Sequence, residues 1–281
     1  MLISLFTQFG ALNSRPIFEG FAEGCRQLGF KVVENDINAE IFVIWSVLWH
    51  GRMKNNQEIW NLAKKTGKKI IVLEVGGLVR GKTWRVGLGH VNNLGNFWKT
   101  ENFDFERPKK LGISLLPHQK TGKNILICGQ HTKSEQWKCR PDPVTWLINL
   151  VNEIRIHTDR SIVFRPHPRD TEWTQNLPDL GIKIQNPQKI HGTYDDFDHE
   201  RDFLSAWCVI NPSSNTGIQA AIAGIPVFCD TDSLAYPVSN KNFENIISPT
   251  LPERENWLVR VCHTEWLVEE IRQGLPLARI L

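Results

Sequence analysis

One short segment of the sequence concentrates side chains that can bind an anion. Residues 161–170 read SIVFRPHPRD, so a short apolar run is followed at once by Arg165, His167 and Arg169. Guanidinium groups bind phosphate oxygens through paired hydrogen bonds, and an imidazole can donate a hydrogen bond or carry a positive charge. The two prolines restrict the loop before a ligand arrives. The segment predicts a phosphate-binding loop; the alternative is a solvated turn with charged side chains.

A second segment, residues 210–224 (INPSSNTGIQAAIAG), reads as a strand, a polar turn and a helix rich in small residues. The amide groups and dipole of a helix N-terminus attract anions. Capping of the helix by a serine hydroxyl would explain the same pattern. Taken with the first segment, it predicts a cradle for a diphosphate. The turn residues expected to bind it are Ser213, Ser214, Asn215 and Thr216.

A third segment, residues 127–137 (ICGQHTKSEQW), places polar side chains after another apolar run. Gln130, His131 and Ser134 are predicted to contact the base or ribose of a nucleotide. An ordinary surface loop is an equally good interpretation.

A carboxylate at the end of a fourth apolar run is the predicted general base. In residues 72–85 (VLEVGGLVRGKTWR), Glu74 stands where the run stops, and a partly desolvated carboxylate can remove a proton from a hydroxyl. The alternative is a structural ion pair with Arg80 or Arg85. His50 is a rival base.

The loop that follows this base is predicted to approach a substrate. Gly76 and Gly77 permit close backbone approach. Arg80 and Lys82 are predicted to bind the acceptor substrate.

No metal or cofactor motif stands out. Residues 230–232 (DTD) are similar to the metal-binding DxD of one class of sugar transferases, but two such aspartates also cap a turn, and no metal is assigned. P-loop, GxSxG, HExxH and GxGxxG patterns are missing from the sequence, which counts against nicotinamide and flavin enzymes. The six cysteines contain no CxxC pair and are predicted to be reduced.

Apolar strands alternate with amphipathic helices along the whole chain, which predicts an α/β fold with parallel sheets covered on both faces. The pattern restarts after a Pro- and Lys-containing stretch, so two Rossmann-like domains facing a central cleft are expected, residues 1–118 and 119–281. Residues 255–274 are predicted to form one long closing helix. Ligands of such sheets bind at the carboxyl ends of the strands, where the four segments above are placed.

Charge is distributed unevenly between these halves. Residues 1–118 contain 16 Lys and Arg against 10 Asp and Glu, a net charge of +6, whereas the remainder carries −3. The basic half is therefore expected to bind a polyanion. Its cationic residues in loops are Lys82, Arg85, Lys99, Arg107, Lys109 and Lys110. The sequence contains neither a membrane-spanning apolar run nor a signal peptide, so no membrane partner is expected.

These motifs resemble those of glycosyltransferases with the two-domain GT-B fold. RPHPRD resembles the His-Pro motif of capsule-type Kdo and sialic-acid transferases, and PSSNTGIQAAIAGIPVF resembles their serine-rich donor loop. VLEVGGLVRG is similar to their E-D-G-F-x-R segment, with Val75 in place of the aspartate. If that aspartate is the base of those enzymes, its role moves to Glu74 or does not carry over.

The chain is also similar to bacteriophage transferases that attach glucose or arabinose to hydroxymethylated pyrimidines in DNA. The similar segments are EVGGLVRGKTW, RPKKLGISL, QHTKSEQW and TDRSIVFRPHPR. This resemblance implies a nucleotide-sugar donor such as UDP-glucose or UDP-arabinose, bound by the C-terminal half without a metal. It also implies that the N-terminal half binds DNA, and that 5-hydroxymethylcytosine is the favoured base to accept the sugar. The implied location is the cytoplasm of an infected bacterium.

Three other functions are compatible with the sequence: a capsule-type transferase with a polysaccharide or lipid acceptor, a sugar-nucleotide epimerase or hydrolase, and a non-catalytic DNA-binding protein with a residual phosphate pocket. The sequence leaves open the sugar, the nucleotide, the modified base, the stereochemical outcome and the oligomeric state.

Overall fold

The structure is a computed structural model that describes residues 1–192, 197–198 and 200–281. The chain divides into two compact units. Unit 1 comprises residues 1–112, 133–135 and 259–281; unit 2 comprises residues 113–132 and 136–258.

This division differs from the expected ranges 1–118 and 119–281 at three places, the shortest of which is residues 133–135 in unit 1. Residues 113–118 belong to unit 2, where the Leu116 amide donates to the Ile222 carbonyl at 2.9 Å. Residues 259–281 return to unit 1, where they add a strand and helices to its sheet. With the residues assigned in this way, unit 1 still carries a net charge of +6.

Unit 1 contains a six-stranded mixed sheet in the order β11-β5-β4-β3-β1-β2. Its strands are β1 (Leu2–Leu5), β2 (Lys31–Glu34), β3 (Ile41–Trp45), β4 (Lys69–Val75), β5 (Thr83–Leu88) and β11 (Glu265–Leu267). The first four are mutually parallel, but β5 pairs antiparallel with both β4 and β11, so the prediction of a purely parallel sheet is wrong at this edge. The sequence did not predict β5, because its turn-rich flanks obscure a short strand.

Helices cover both faces of this sheet, as its continuous apolar strands require. They are α1 (Arg15–Gln27), α2 (Asn56–Thr66), α3 (Arg107–Lys110), α8 (Val268–Arg272) and α9 (Leu275–Ile280). The α1 face buries Phe18 and Phe21 against Trp45 of β3, and each such side chain contributes about 1.5–3 kcal/mol through burial. α2 packs Trp60 against the other face.

The prediction of one continuous helix over residues 255–274 is wrong, because a short strand interrupts it. α7 (Glu255–Cys262) ends where the hydroxyl and amide of Thr264 both donate to the Val261 carbonyl. The chain then extends as β11, which pairs with β5 and buries Glu265 completely. Helical periodicity cannot distinguish this arrangement from a continuous helix, since the strand has only three residues.

Unit 2 contains a five-stranded sheet in the order β10-β9-β6-β7-β8, with every pair parallel. Its strands are β6 (Asn124–Cys128), β7 (Ile162–Arg165), β8 (Lys183–Ile184), β9 (Ala206–Asn211) and β10 (Val227–Cys229). Its helices are α4 (Pro143–His157), α5 (Glu200–Phe203) and α6 (Asn215–Ile222). α4 begins as the sequence predicts, with Pro143 in its first turn after Asp142, whose side chain accepts from the Thr145 amide at 3.0 Å.

Candidate functional site

The carboxyl edge of the unit 2 sheet carries three of the predicted segments. β6 lies between β7 and β9, and all three strands run in the same direction. The loops that follow Cys128, Arg165 and Asn211 therefore leave the sheet at one edge, where ligands of open α/β sheets bind.

Gly129, the first residue after β6, allows two of these loops to approach each other closely. A Cβ atom at this position would stand 3.0 Å from the Trp173 ring and 3.1 Å from the His167 amide nitrogen. Any larger residue would push the RPHPRD loop away from the loop after β6.

Asp170 joins the same two loops through its carboxylate. Its Oδ2 atom accepts from the Thr132 amide at 2.6 Å and the Thr132 hydroxyl at 2.7 Å, and it lies 3.3 Å from His131 Nδ1. The His131 ring lies 5.0 Å from the His167 ring, centroid to centroid. His167 Nδ1 in turn accepts from the Arg169 amide at 3.2 Å. Both imidazoles are thus oriented through Nδ1.

The protonation state of Asp170 follows from these contacts. Burial acts to raise the pKa of this carboxyl, but hydrogen bonds from Thr132 and from the Glu172 amide outweigh burial, and the pKa of Asp170 is lowered. Asp170 is therefore ionised at neutral pH, and its negative charge lies beside His131.

Gln130 links the loop after β6 to the loop after β9. Its side-chain oxygen accepts from both the amide and the hydroxyl of Ser213, at 3.1 Å each. Its backbone carbonyl accepts from the Trp173 indole at 2.8 Å. Gln130 and Ser213 are buried, so both predicted binding residues position loops in this structure.

Helix α6 begins after Ser214, which has extended backbone and makes no side-chain cap with a described residue. Asn211 instead donates to the carbonyl and hydroxyl of Ser214, at 3.2 and 3.3 Å. Ser214, Asn215 and Thr216 are partly exposed at the start of the helix, as the predicted anion site requires. Gly217 is necessary because a Cβ atom there would lie 2.5 Å from the Asn211 side-chain oxygen.

The expectation that Arg165 binds phosphate is not supported by its contacts. Its side chain is buried, and its guanidinium pairs with Asp202 and with Asp198, the latter at 2.9 Å. Two carboxylates at one guanidinium neutralise its charge and occupy its donors, so this arginine anchors the segment that precedes β9.

Two further arginines belong to this edge of unit 2. Arg169 is exposed in the RPHPRD loop. Arg140 Nη2 binds Asp230 at 2.9 Å and Asp232 at 2.7 Å, so the DTD segment holds a guanidinium. Burial raises the pKa of Asp232, with Arg140 acting against it.

Glu74 of unit 1 lies near the end of β4 and is partly buried. Burial raises the pKa of its carboxyl, although hydrogen bonds from Ser46 and the Val75 amide and the charges of Arg85 and Arg80 act to lower it. A carboxyl with a raised pKa is better suited to remove a proton at neutral pH than an ordinary surface carboxyl.

Ser46, directly after β3, contacts this carboxylate and adopts a left-handed backbone conformation with φ of 64°. Serine rarely adopts this conformation, and strain of this kind concentrates at functional positions. The Ser46 hydroxyl also accepts from the Leu48 amide at 3.1 Å. Ser46 is therefore a candidate site residue that the sequence analysis did not identify.

The remaining predicted residues lie in unit 1. Arg80 and Lys82 are exposed in the hairpin between β4 and β5, and their role in substrate binding stays a prediction. Ser134 is buried and pairs with Leu48 in an isolated antiparallel bridge. This bridge gives Ser134 a structural role, and its expected contact with a nucleotide stays a prediction. The rival base His50 is exposed.

Gly76 and Gly77 approach a buried side chain of the protein itself. The carboxylate of Glu265 accepts from the Gly77 amide at 2.8 Å and from the Leu78 amide at 3.0 Å. A Cβ atom on Gly76 would collide with this carboxylate and with the Thr83 carbonyl. The close backbone approach at these glycines is therefore to Glu265 of the protein itself, whereas the sequence analysis expected an approach to a substrate.

The basic residues expected to bind DNA are in part unavailable. Arg85 and Arg107 are buried and bind Glu265 and Glu270, at 2.6 and 2.7 Å. Lys110 is exposed but pairs with Asp104 at 2.6 Å, and Lys109 lies 3.8 Å from Glu106. Lys82 and Lys99 are exposed without an acidic partner among the described residues. Counting positive charges in the sequence thus overestimated the basic surface.

Among the described residues, no cluster of three His, Cys, Asp or Glu side chains could hold a metal ion. No helix in the described part of the chain is both long enough and apolar enough to span a bilayer.

Comparisons with solved structures identify the fold. Thermosulfurimonas dismutans KpsC, beta Kdo 2,4 transferase, has a TM-score of 0.52 at 14% identity, over 94% of this chain and 90% of that chain. T. dismutans KpsC, beta Kdo 2,7 transferase, has a TM-score of 0.50 at 14% identity, over 99% of both chains. The fold is of the GT-B type. At this identity the similarity shows the fold alone.

The other comparisons add no function. No protein-family model and no curated protein sequence matches the chain. Methanocaldococcus jannaschii UDP-GlcNAc 2-epimerase matches over 99% of both chains at 9% identity, with a TM-score of only 0.40.

Proposed function

We propose that the protein is a glycosyltransferase and that unit 2 binds its nucleotide-sugar donor. The observation that carries this proposal is the linked set of loops at the carboxyl edge of the unit 2 sheet. Asp170 and His131 connect two of these loops, and Gln130 connects the third through Ser213. Such a network preorganises polar groups around one ligand.

His167 and the start of α6 are the proposed phosphate contacts. His167 is oriented through Nδ1, and we assign its Nε2 to the donor phosphate. The amides at Ser214–Thr216 supply further donors, and exposed Arg169 keeps the phosphate-binding role predicted for both arginines of this loop. Together these groups would stabilise the charge that develops on the leaving phosphate.

We assign acceptor activation to Glu74 in unit 1. An ionised Glu74 would take the proton from the acceptor hydroxyl as the oxygen bonds to the anomeric carbon and the bond to the donor phosphate breaks. For the acceptor we propose a hydroxymethylpyrimidine in DNA, supported by the resemblance in sequence and by the net charge of +6 on unit 1. The burial of Arg85 and Arg107 leaves fewer cations to contact phosphates than the sequence suggested.

A capsule-type transfer is the second candidate, because the KpsC proteins that share this fold are by name Kdo transferases. It predicts transfer to a polysaccharide or lipid acceptor and indifference to DNA.

The test is incubation with DNA containing 5-hydroxymethylcytosine and a panel of nucleotide sugars, including UDP-glucose, UDP-arabinose and CMP-sugars, followed by mass spectrometry of the nucleosides. We expect a glycosylated nucleoside and release of the nucleotide. Nucleotide release that occurs equally without DNA would indicate an epimerase or hydrolase. Salt-sensitive DNA binding without turnover of any donor would indicate a non-catalytic protein.

Substitution at the phosphate site provides a second test. His167→Ala is expected to raise the KM for the donor roughly 10- to 100-fold, the effect of losing one charge-assisted hydrogen bond. His157→Ala, at the end of α4, is the matched control and should leave the KM unchanged. An unchanged donor KM in His167→Ala would refute the phosphate assignment.

A further inference from the structure

Three charged residues form one row across neighbouring strands of the unit 1 sheet. The register of β4 and β5 pairs Glu74 with Arg85, and the register of β5 and β11 pairs Arg85 with Glu265. Side chains directly opposite one another on neighbouring strands point to the same face of a sheet. The row therefore places one guanidinium between two carboxylates.

Arg85 makes its direct ion pair with Glu265. Arg85 Nη2 lies 2.6 Å from Glu265 Oε1, and Nη1 donates to the Val91 carbonyl at 3.2 Å. These contacts direct the guanidinium toward β11, whereas Glu74 lies on β4 on the other side of β5.

Glu265 is held firmly enough to determine where Arg85 points. Its side chain is fully buried and accepts from the Thr83 hydroxyl at 2.8 Å as well as from two amides of the β4–β5 hairpin. A buried carboxylate with four donors has little freedom to rotate, since every lost contact would leave a polar group unsatisfied.

We propose that Glu265 is a positioning residue for Glu74: by binding Arg85, it prevents the guanidinium from pairing with Glu74 and keeps that carboxylate available to the acceptor hydroxyl. This inference rests on the proposed function, in which Glu74 is the base. Glu265 lies 191 positions further along the chain and contacts no substrate in this scheme.

Removing the charge of Glu265 should redirect Arg85. The groups that face Glu74 are Arg85 on β5, Arg80 in the hairpin and Ser46 after β3. Without its partner on β11, the guanidinium gains most by turning to the remaining carboxylate in the row. A carboxyl that pairs directly with an arginine typically has its pKa lowered by about 1–3 units.

The first measurement is the titration of Glu74 by carbon-detected NMR, assigned with Glu74→Gln. In Glu265→Gln, the pKa of Glu74 should fall by about one unit or more. In the double variant Arg85→Gln/Glu265→Gln it should return to near its wild-type value, because the competing cation has also been removed. Glu269→Gln, an exposed glutamate on α8, is the matched control and should have no effect.

The second measurement is the pH profile of kcat/KM for transfer. Glu265→Gln should lose about tenfold or more in rate, with its acidic limb displaced to lower pH by as much as the NMR titration shows. The double variant should recover most of this loss. A merely structural role for Glu265 predicts no such recovery, with the double variant at least as impaired as the single one.

The outcomes separate this inference from the proposed function. If Glu74→Gln is inactive and Glu265→Gln leaves the titration of Glu74 unchanged, the base assignment stands and the role of Glu265 is refuted. If Glu74→Gln keeps wild-type activity, the base assignment is refuted and the role of Glu265 with it. Should Glu265→Gln fail to fold, Glu265→Asp keeps the charge with a shorter reach and should give a smaller shift in the same direction; no shift would refute the inference.

Discussion

Replacing Glu74 by glutamine should make the protein more stable and less active. Burial raises the pKa of this carboxyl, so its ionised form is less favourable in the folded protein than in the unfolded chain. Glutamine has nearly the same shape and can still accept from Ser46 and the Val75 amide, but it carries no charge. The substitution therefore removes an electrostatic penalty while it removes the proposed base.

The magnitude follows from the linkage between protonation and folding. Each unit by which a pKa is raised corresponds to about 1.4 kcal/mol of lost stability at a pH well above that pKa. Regaining about 1.4 kcal/mol of stability raises the melting temperature of a protein of this length by about 2–5 °C. Loss of a general base lowers kcat by about 10²–10⁴-fold.

The sign of the effect depends on pH, which makes the assay specific. Below pH 4.5, the ordinary pKa, the carboxyl is protonated in both the folded and the unfolded chain, so folding carries no electrostatic penalty. Because the folded-state pKa is raised, the penalty develops as the pH rises through the folded-state pKa. Thermal unfolding of wild type and Glu74→Gln should therefore give equal melting temperatures near pH 4 and a higher one for the variant at pH 7. Transfer kinetics at pH 7 supply the second readout.

Two results would contradict this reasoning. A Glu74→Gln variant that is less stable at pH 7 would show that the ionised carboxylate is stabilised in the fold, as in an ion pair. A stability gain independent of pH would show that charge is not its cause. Glu58→Gln, at an exposed position of α2, is the control and should change stability by less than about 0.5 kcal/mol.

Three further predictions concern the residues that position the site and the core. Asp170→Asn places an NH₂ group against the Thr132 amide, so it should cost about 1–3 kcal/mol in stability, measured by thermal unfolding. It should also weaken binding of the nucleotide sugar, measured as its KM. Neither effect is expected in Asp159→Asn, at an exposed position. Within α1, Gly24→Ala should lower the free energy of unfolding by about 1–3 kcal/mol, because the new methyl group would lie 2.8 Å from Gly274 Cα. Gly20→Ala, with no contact closer than 3.7 Å, should be neutral or stabilising. Urea unfolding measures both variants. Burial raises the pKa of the Cys25 and Cys128 thiols to about 12, so a thiol reagent at pH 8 should react rapidly with exposed Cys139 in the native protein, and Cys139→Ser should abolish that phase.

The residues that sequence reasoning missed share a physical cause. Asp170 was visible as the last residue of RPHPRD, but its contact with the loop after β6 depends on which strands are neighbours. The importance of Glu265 could not be seen, because a three-residue strand within a helical pattern gives too weak a periodicity. Ser46 is an ordinary serine in sequence, and only its backbone conformation distinguishes it. Arg140 stands far from Asp230 in the chain, so no local pattern pairs them.

The sequence by itself determined the α/β class, most strands and helices, and the segments at the carboxyl ends of β4, β6, β7 and β9, because hydrophobic periodicity and turn residues act over short distances. Only the tertiary structure decided which charges are available. The sequence does not distinguish Arg165, Arg85 and Arg107 from exposed arginines. Each is nevertheless buried and paired with carboxylates from distant parts of the chain. An ionisable side chain is available to a ligand only if the fold leaves it unneutralised, and that depends on contacts between residues far apart in sequence.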